Sequence, residues 1–178
     1  MDLRRARNRL AARLLGMFPG LVDRWARGRR FAQEGAEEGA GEADPWAPLA
    51  KPLTRCRVAL VTTGGVHLRS QPPFDMRNPD GDPTFREIPA GTPRGNLVIT
   101  HDYYDHRDAD RDLNVILPLD RLEELAREGR VAGPAPLHLG FMGHVDGPLV
   151  ERLIRETAPA AARRLAEAGA DAVLLAPA

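Results

Sequence analysis

The apolar positions of this 178-residue chain follow one pattern near its start and another from the middle onward. Leu3, Ala6, Leu10, Leu14, Met17 and Phe18 recur at helical spacing with arginines between them, which predicts an amphipathic helix. Pro19-Gly20 breaks it, and a second short helix is expected over residues 21–31. Further on, the apolar residues gather into short runs bounded by turn residues. Arg57–Thr62, residues 97–100, residues 113–117, Leu137–Phe141 and Ala172–Ala176 each read as a strand. Helical spacing returns twice. Leu119, Leu122, Leu125 and Ala126 form one face after Pro118, closed by Gly129. Leu149, Val150, Leu153 and Ile154 form another after Pro148, and Pro159 should divide that stretch into 148–157 and 158–168.

The last part of the chain therefore reads strand, loop, helix, strand. Two strands joined by a helical crossover imply a parallel pair. The expected fold is α/β, a mostly parallel sheet with flanking helices in a Rossmann-like or flavodoxin-like three-layer arrangement, preceded by an N-terminal helical segment. The chain divides into three regions: a basic helical segment at 1–31, an acidic Gly/Pro linker at 32–48, and the α/β domain at 49–178. Residues 66–96 are rich in proline and turn formers. Their apolar members Phe74, Met76, Phe85 and Ile88 point to ordered packing, as a lid or subunit contact over the sheet's carboxyl edge.

Charge and composition narrow the function classes. Net charge is zero, so no bulk field favours nucleic acid. Residues 2–31 carry nine arginines against Asp2 and Asp23, which is read as a helix packed on its own domain or a partner, with residues 32–48 supplying opposite charge. Lys51 is the only lysine, and Cys56 the only cysteine, so neither an intrachain disulfide nor a cysteine metal cage is available. No apolar run approaches a membrane span and no signal peptide is evident, which points to a bacterial cytoplasm.

If the strands are parallel, their carboxyl ends bring together His67, His101, Asp102, Asp120, His144 and Asp146, at the edge where α/β sheets bind ligands. Histidine there serves as acid, base or partner of an anionic nucleophile. Each alone reads as a structural histidine; together they imply that one or two are functional. The Thr63-Gly64-Gly65 turn lacks a phosphate-loop signature and reads as a tight exit turn. His101, Asp102, His106 and His144 fit no standard metal spacing, although a metal-dependent hydrolase is kept as a third reading. Cys56 stands at the start of its strand, at the opposite edge, and is a poor nucleophile candidate.

Several blocks resemble the selenoprotein B family of glycine/sarcosine/betaine and D-proline reductases, especially its D-proline-reductase-like members. They include residues 58–68 (VALVTTGGVHL), 71–75 (QPPFD), 86–89 (REIP), 108–114 (DADRDLN), 117–122 (LPLDRL), 140–143 (GFMG) and 171–177 (DAVLLAP), in the family's order from about residue 49 onward. The resemblance implies an oxidoreductase subunit that reductively cleaves a C–N bond of a small amine or amino acid. It implies a selenocysteine or cysteine nucleophile with a resolving thiol, a pyruvoyl group on a partner subunit, a dithiol or thioredoxin-like reductant, and an oligomeric complex. The redox motif of the family comes after the strand resembling residues 171–177, so the nucleophile is expected just beyond Ala178. The reading adopted is that a UGA codon there is selenocysteine; the alternative is a degenerate, non-catalytic binding or scaffold subunit. In a chain ending at Ala178 the final strand is expected to leave apolar sheet surface exposed and to favour oligomers.

Overall fold

The computed structural model describes residues 3–16 and 47–178. The expected helix over 21–31 and nearly all of the acidic linker lie outside the described residues. Helix α1 spans Leu3–Gly16. Its docking differs from the apolar reading. Leu3 and Leu10 are exposed, whereas Arg5 and Asn8 are half-buried and Ala12 is buried. Arg5, Asn8 and Ala12 face the protein, and Arg9 reaches it through Asp102.

Strand β1, Arg57–Thr62, is the axis of the domain. It pairs in parallel with β7 (Ala172–Ala176) along one edge, from Val58–Ala172 to Thr62–Ala176. Its other edge is shared by β5 (Gly133–Pro134), which meets the first half, and β6 (Leu137–Phe141), which meets the second. Beyond β6 lies β3, Phe85–Pro89, antiparallel to it. A separate antiparallel ribbon joins β2 (Val66–Leu68) to β4 (Leu97–Ile99). The architecture is thus mixed α/β, parallel around β1 and antiparallel elsewhere.

Alternation along β1 explains why it is buried on both faces. Val58 and Leu60 face a core with Val66, Ile88, Ile116 and Leu117, closed by Leu119 and Leu122 of α3 (Leu119–Arg127). Ala59 and Val61 face the other way, onto Leu137, Leu139, and Ala161 and Leu165 of α5 (Ala158–Glu167). Between β6 and α5 run α4 (Pro148–Arg152) and a π-helical turn, Leu153–Thr157. Pro159 has no amide hydrogen to donate, and the widened turn before it is the interruption expected there.

Residues 113–117 do not form a strand. Leu113–Val115 is a 3₁₀ turn after the short helix α2, Arg107–Arg111. Asp112 accepts from the Asn114 amide, and the Asn114 side chain bonds both Asp112 and Asp120. Those local bonds compete with a ladder and win. Ile116 and Leu117 reach the core anyway. The 97–100 run is a strand but belongs to the ribbon, so its carboxyl end is not parallel to that of β1.

A break between β5 and β6 leaves a gap in the ladder. Ala135 donates to Val58, but the Pro136 carbonyl turns to Ala90, and Leu60 N–H donates to His138 Nδ1 at 2.9 Å. His138 is fully buried and its Nε2 has no partner. Burial, aided by Arg94, lowers its pKa from 6.5 to about 4. β7 is exposed at Val173, Leu174 and Leu175, so apolar surface lies open on the edge strand.

A β-carbon on Gly140 would run into the Val66 carbonyl oxygen and approach Ile88. Gly140→Ala is expected to cost about 1–3 kcal/mol, read as a lower urea midpoint; an unchanged midpoint would mean the β2 backbone moves aside freely. A second prediction concerns His138, which is neutral when folded and protonates near 6.5 when unfolded. The unfolded state therefore binds more protons between pH 6.5 and 4, and stability falls as pH is lowered through that window, by up to about 1.4 kcal/mol per pH unit for this group. His138→Asn keeps an acceptor for Leu60 and should reduce the slope of stability against pH by one proton, whatever its effect on the neutral-pH baseline. A slope unchanged in that variant would show that His138 is not the group.

Candidate functional site

The carboxyl edge of β1 and β6 is where the exit loops meet. After β1, Gly65 N–H donates to Phe141 carbonyl at 2.8 Å, and Gly65 carbonyl accepts from Thr100 N–H at 2.9 Å. The loop after the ribbon is thereby laid against the main sheet. Gly65 has φ of 73°, and a β-carbon there would strike the Thr100 carbonyl. This contact places His101 and its neighbours at the edge that a parallel β4 was expected to supply.

His101 is buried and ties loops together. Its Nδ1 accepts from Tyr103 N–H at 3.0 Å, and the ring also bonds the Met142 backbone carbonyl. The accepting Nδ1 fixes the neutral tautomer with hydrogen on Nε2. Burial is the largest cause that lowers its pKa to about 4, helped by His106 and His144. With both nitrogens engaged, this imidazole braces the loops against each other. Tyr104 stacks edge-on against it at 4.5 Å and donates its hydroxyl to Gly64 carbonyl at 3.0 Å; burial pushes that phenol's pKa up. Tyr103 stacks on His144 at 4.3 Å, and its hydroxyl is buried with no partner. Phe74, Met76 and Met142 form the apolar floor beside Tyr103.

His144 Nε2 donates to Pro79 carbonyl at 2.8 Å, and Asp82 N–H bonds His144 carbonyl. The loop after β6 is thus stitched to the 75–84 turn, confirming ordered packing of that long proline-rich segment. Asp146 is exposed. Its Oδ1 accepts from Gly147 N–H at 2.8 Å and its own N–H bonds Asp80 carbonyl, so it shapes the turn into α4. His67 lies in the middle of the ribbon with both nitrogens engaged, by Leu68 carbonyl and Thr100 Oγ1, each at 2.8 Å. Burial lowers its pKa. Asp120 is elsewhere: Arg94, just before β4 begins, holds it at 2.6 Å.

Asp102 is the charged member of the site. It is 1% exposed, and its carboxylate accepts from Arg5 Nε at 2.5 Å and Arg9 Nε at 2.8 Å. Burial alone would raise its pKa; the two guanidinium groups of α1 outweigh it and hold the carboxyl below its usual range. The structure therefore unites His101, Asp102 and His144 at one edge, and leaves His67 and Asp146 at its margins. Tyr103, Tyr104, Arg5 and Arg9 were not expected there. The arginines' i, i+4 spacing on a basic helix was a readable sign of one charged face; its partner, 93 residues or more away, was not.

Among the described residues no group of three or more His, Cys, Asp and Glu is placed to hold a metal ion. His101, Asp102, His106 and His144 do not converge as a ligand set: Asp102 faces arginines, and His106 pairs with Asp110 at 2.8 Å. Cys56 is buried at the start of β1. Where β7 ends, Thr63 N–H donates to Ala176 carbonyl at 3.3 Å and Ala178 N–H donates to Thr63 Oγ1 at 3.0 Å. The strand thus delivers its end to the same edge. No described helix is long and apolar enough to cross a membrane.

Comparison with known proteins gives the family. The chain is 39% identical over 130 residues to the D-proline reductase subunit gamma of Acetoanaerobium sticklandii, an alignment covering 73% of this chain and 52% of that protein. The chain thus spans about half the length of the curated relative it matches. No solved structure matches it. The model of the glycine/sarcosine/betaine reductase selenoprotein B family matches residues 11–178, and the chain belongs to that family.

Proposed function

We propose that this chain is a subunit of a selenoprotein B-type reductase whose carboxyl-edge loops position a small amine or amino acid for reductive C–N cleavage. The observation that carries this reading is the end of β7, held at Thr63 beside the loops that bear His101, Tyr103 and His144. A residue following Ala178 would enter the site there. The family relationship supplies the reaction class, and the relative's name supplies D-proline as one substrate to test. The scaffold is read as a variant of the doubly wound, flavodoxin-like plan.

In this reading the nucleophile is a selenolate or thiolate beyond Ala178, because Cys56 is the sole cysteine and is buried at the far edge. The C–N bond breaks, carbon and nitrogen each gain hydrogen, and a dithiol supplies two electrons and two protons as it becomes a disulfide. A pyruvoyl group on a partner subunit supplies the carbonyl that activates the amine. The residues of this chain bind, orient and exclude water: the Phe74, Met76 and Met142 floor is apolar, and the unpartnered Tyr103 hydroxyl is a donor for a substrate polar group. The complex works in the cytoplasm with a thioredoxin-like reductant. The other reading is a non-catalytic binding or scaffold subunit.

The test is to isolate the native complex from its organism, weigh the polypeptide containing this sequence, assay selenium in it, and follow D-proline, glycine, sarcosine and betaine with a dithiol. The expected result is a selenium- or extra-cysteine-bearing polypeptide and substrate loss matched by disulfide formation. A polypeptide with neither, in a complex that oxidises no dithiol with any of these compounds, would leave the binding-subunit reading.

A further inference from the structure

Strand β7 has the composition of an interior strand and the position of an edge strand. Ala172–Ala176 reads AVLLA, without a charged residue or a proline. Exposed sheet edges are normally blunted by charges or proline, and apolar parallel strands are normally covered on both faces. β7 is open on both. Val173, Leu174 and Leu175 are 45%, 50% and 70% exposed. Among the described residues, β1 is its one strand partner.

Register assigns these side chains to faces. Val173 lies beside Ala59 and Leu175 beside Val61, so both project to the face on which Ala161 and Leu165 of α5 pack. Leu174 lies beside Leu60 and projects to the opposite face. On the α5 face a groove of about 390 Å³ runs between helix and strand, with Leu49, Ala162, Leu165, Ala166 and Val173 in its apolar lining. Asp171, the charged residue of that lining, is engaged by Lys51 at 2.9 Å and by Arg57 N–H at 2.7 Å. Ala162 and Ala166 stand one turn apart on an exposed flank of α5, and side chains this small let a second helix approach closely.

The path of the chain selects what fits there. From β6, through α4 and α5, it passes β1 and adds β7 in parallel. Crossovers of this kind are right-handed in nearly all proteins. A further crossover in the same direction keeps that hand only with its helix on the α5 face. β7 delivers its end to the carboxyl edge, where Ala178 N–H donates to Thr63 Oγ1. Another parallel strand therefore requires a return of about a dozen residues or more, usually a helix. The D-proline reductase subunit has length for such a unit, since the alignment with this chain accounts for 52% of it.

We propose that the open side of β7 is the seat of polypeptide following Ala178: a helix in the groove beside α5, over Val173 and Leu175, and then a strand parallel to β7 along its outer edge. That polypeptide follows Ala178 rests on the reductase reading above; where it docks follows from the register of β7 and the flank of α5. Helix and strand together convert β7 into an interior strand. They also pin both ends of the loop between them and β7, in which the nucleophile is expected, beside Thr63.

The test compares the native polypeptide, isolated from its organism, with the 178-residue chain by hydrogen exchange. Outer-edge amides of residues 172–176 are expected to exchange freely in the 178-residue chain and about a hundredfold or more slower in the native polypeptide. Ala166→Arg should leave the melting temperature of the 178-residue chain unchanged, because position 166 is exposed there, and lower that of the native polypeptide carrying the same change. A native polypeptide that ends at Ala178 overturns the proposal. So does a longer one in which β7 exchanges, and Ala166→Arg behaves, as in the 178-residue chain. Protection already present in the 178-residue chain and rising with its concentration would overturn it in favour of a second copy. Should the 178-residue chain stay insoluble, exchange in the native polypeptide decides alone. Neither readout measures turnover: a longer polypeptide with β7 protected and no dithiol oxidation keeps this docking and rejects the reductase reading.

Discussion

The Val66 carbonyl oxygen occupies the space where Gly140 would carry a β-carbon, and Thr63 carbonyl lies 2.6 Å from the corresponding point on Gly143. These close approaches let the exit of β1 and the exit of β6 run against each other, backbone to backbone. The rest of the carboxyl edge depends on that. With the two exits in contact, Gly65 can pair with Phe141 on one side and Thr100 on the other. The ribbon and its adjoining loop are then carried onto the main sheet, although β4 is not one of its strands. A side chain at Gly140 would separate the backbones and take His101, Asp102 and the tyrosines away from His144.

The buried histidines show what burial does to a residue that sequence presents as an acid-base candidate. His101 and His138 each accept a backbone N–H through Nδ1 and each is kept neutral by desolvation. His138 fills a ladder position that the Pro136 turn vacates; His101 joins the loops after β4 and β6. Neutral imidazole suits that work because one nitrogen accepts while the other is free to donate, which no carboxylate or ammonium does. Exchange of protons with substrate would require these bonds to be given up. The recesses on this side are lined by Arg5 with Phe74 and Thr100, and by Arg9 and Arg13 with Tyr104 and His106.

Periodicity made much of the fold legible. β1, β6 and β7 fall where the apolar runs place them, and Pro159 disturbs the helix where it should. A run of apolar residues does not, however, state which way its strand points. Residues 97–99 were readable as a strand but not as half of an antiparallel ribbon, and the ribbon decides that His67 is a packed residue of β2. At 113–117 the apolar run was real and its residues are in the core, but Asp112 and Asn114 bend the backbone by side-chain bonds that a hydrophobic pattern does not record. The pairing of Arg5 and Arg9 with Asp102 was beyond reach for another reason: opposite charges in abundance leave partners ambiguous until the chain is folded.

That pairing also bears on what kind of site this edge is. A carboxylate buried for stability alone is better served by partners from the core, since breaking a buried pair is strongly destabilising. Here the partners sit on a helix that exposes Leu3 and Leu10. The interior bonds of the edge, from Gly65, His101 and Tyr104, come from segments adjoining the sheet and the ribbon, and they remain when α1 is lifted in thought. Asp102 would lose the two guanidinium groups that complement it, and Asp105 the nearby charge of Arg13. The edge therefore combines a scaffold of backbone contacts and neutral histidines with the buried Asp102 carboxylate, whose counter-charges come from α1.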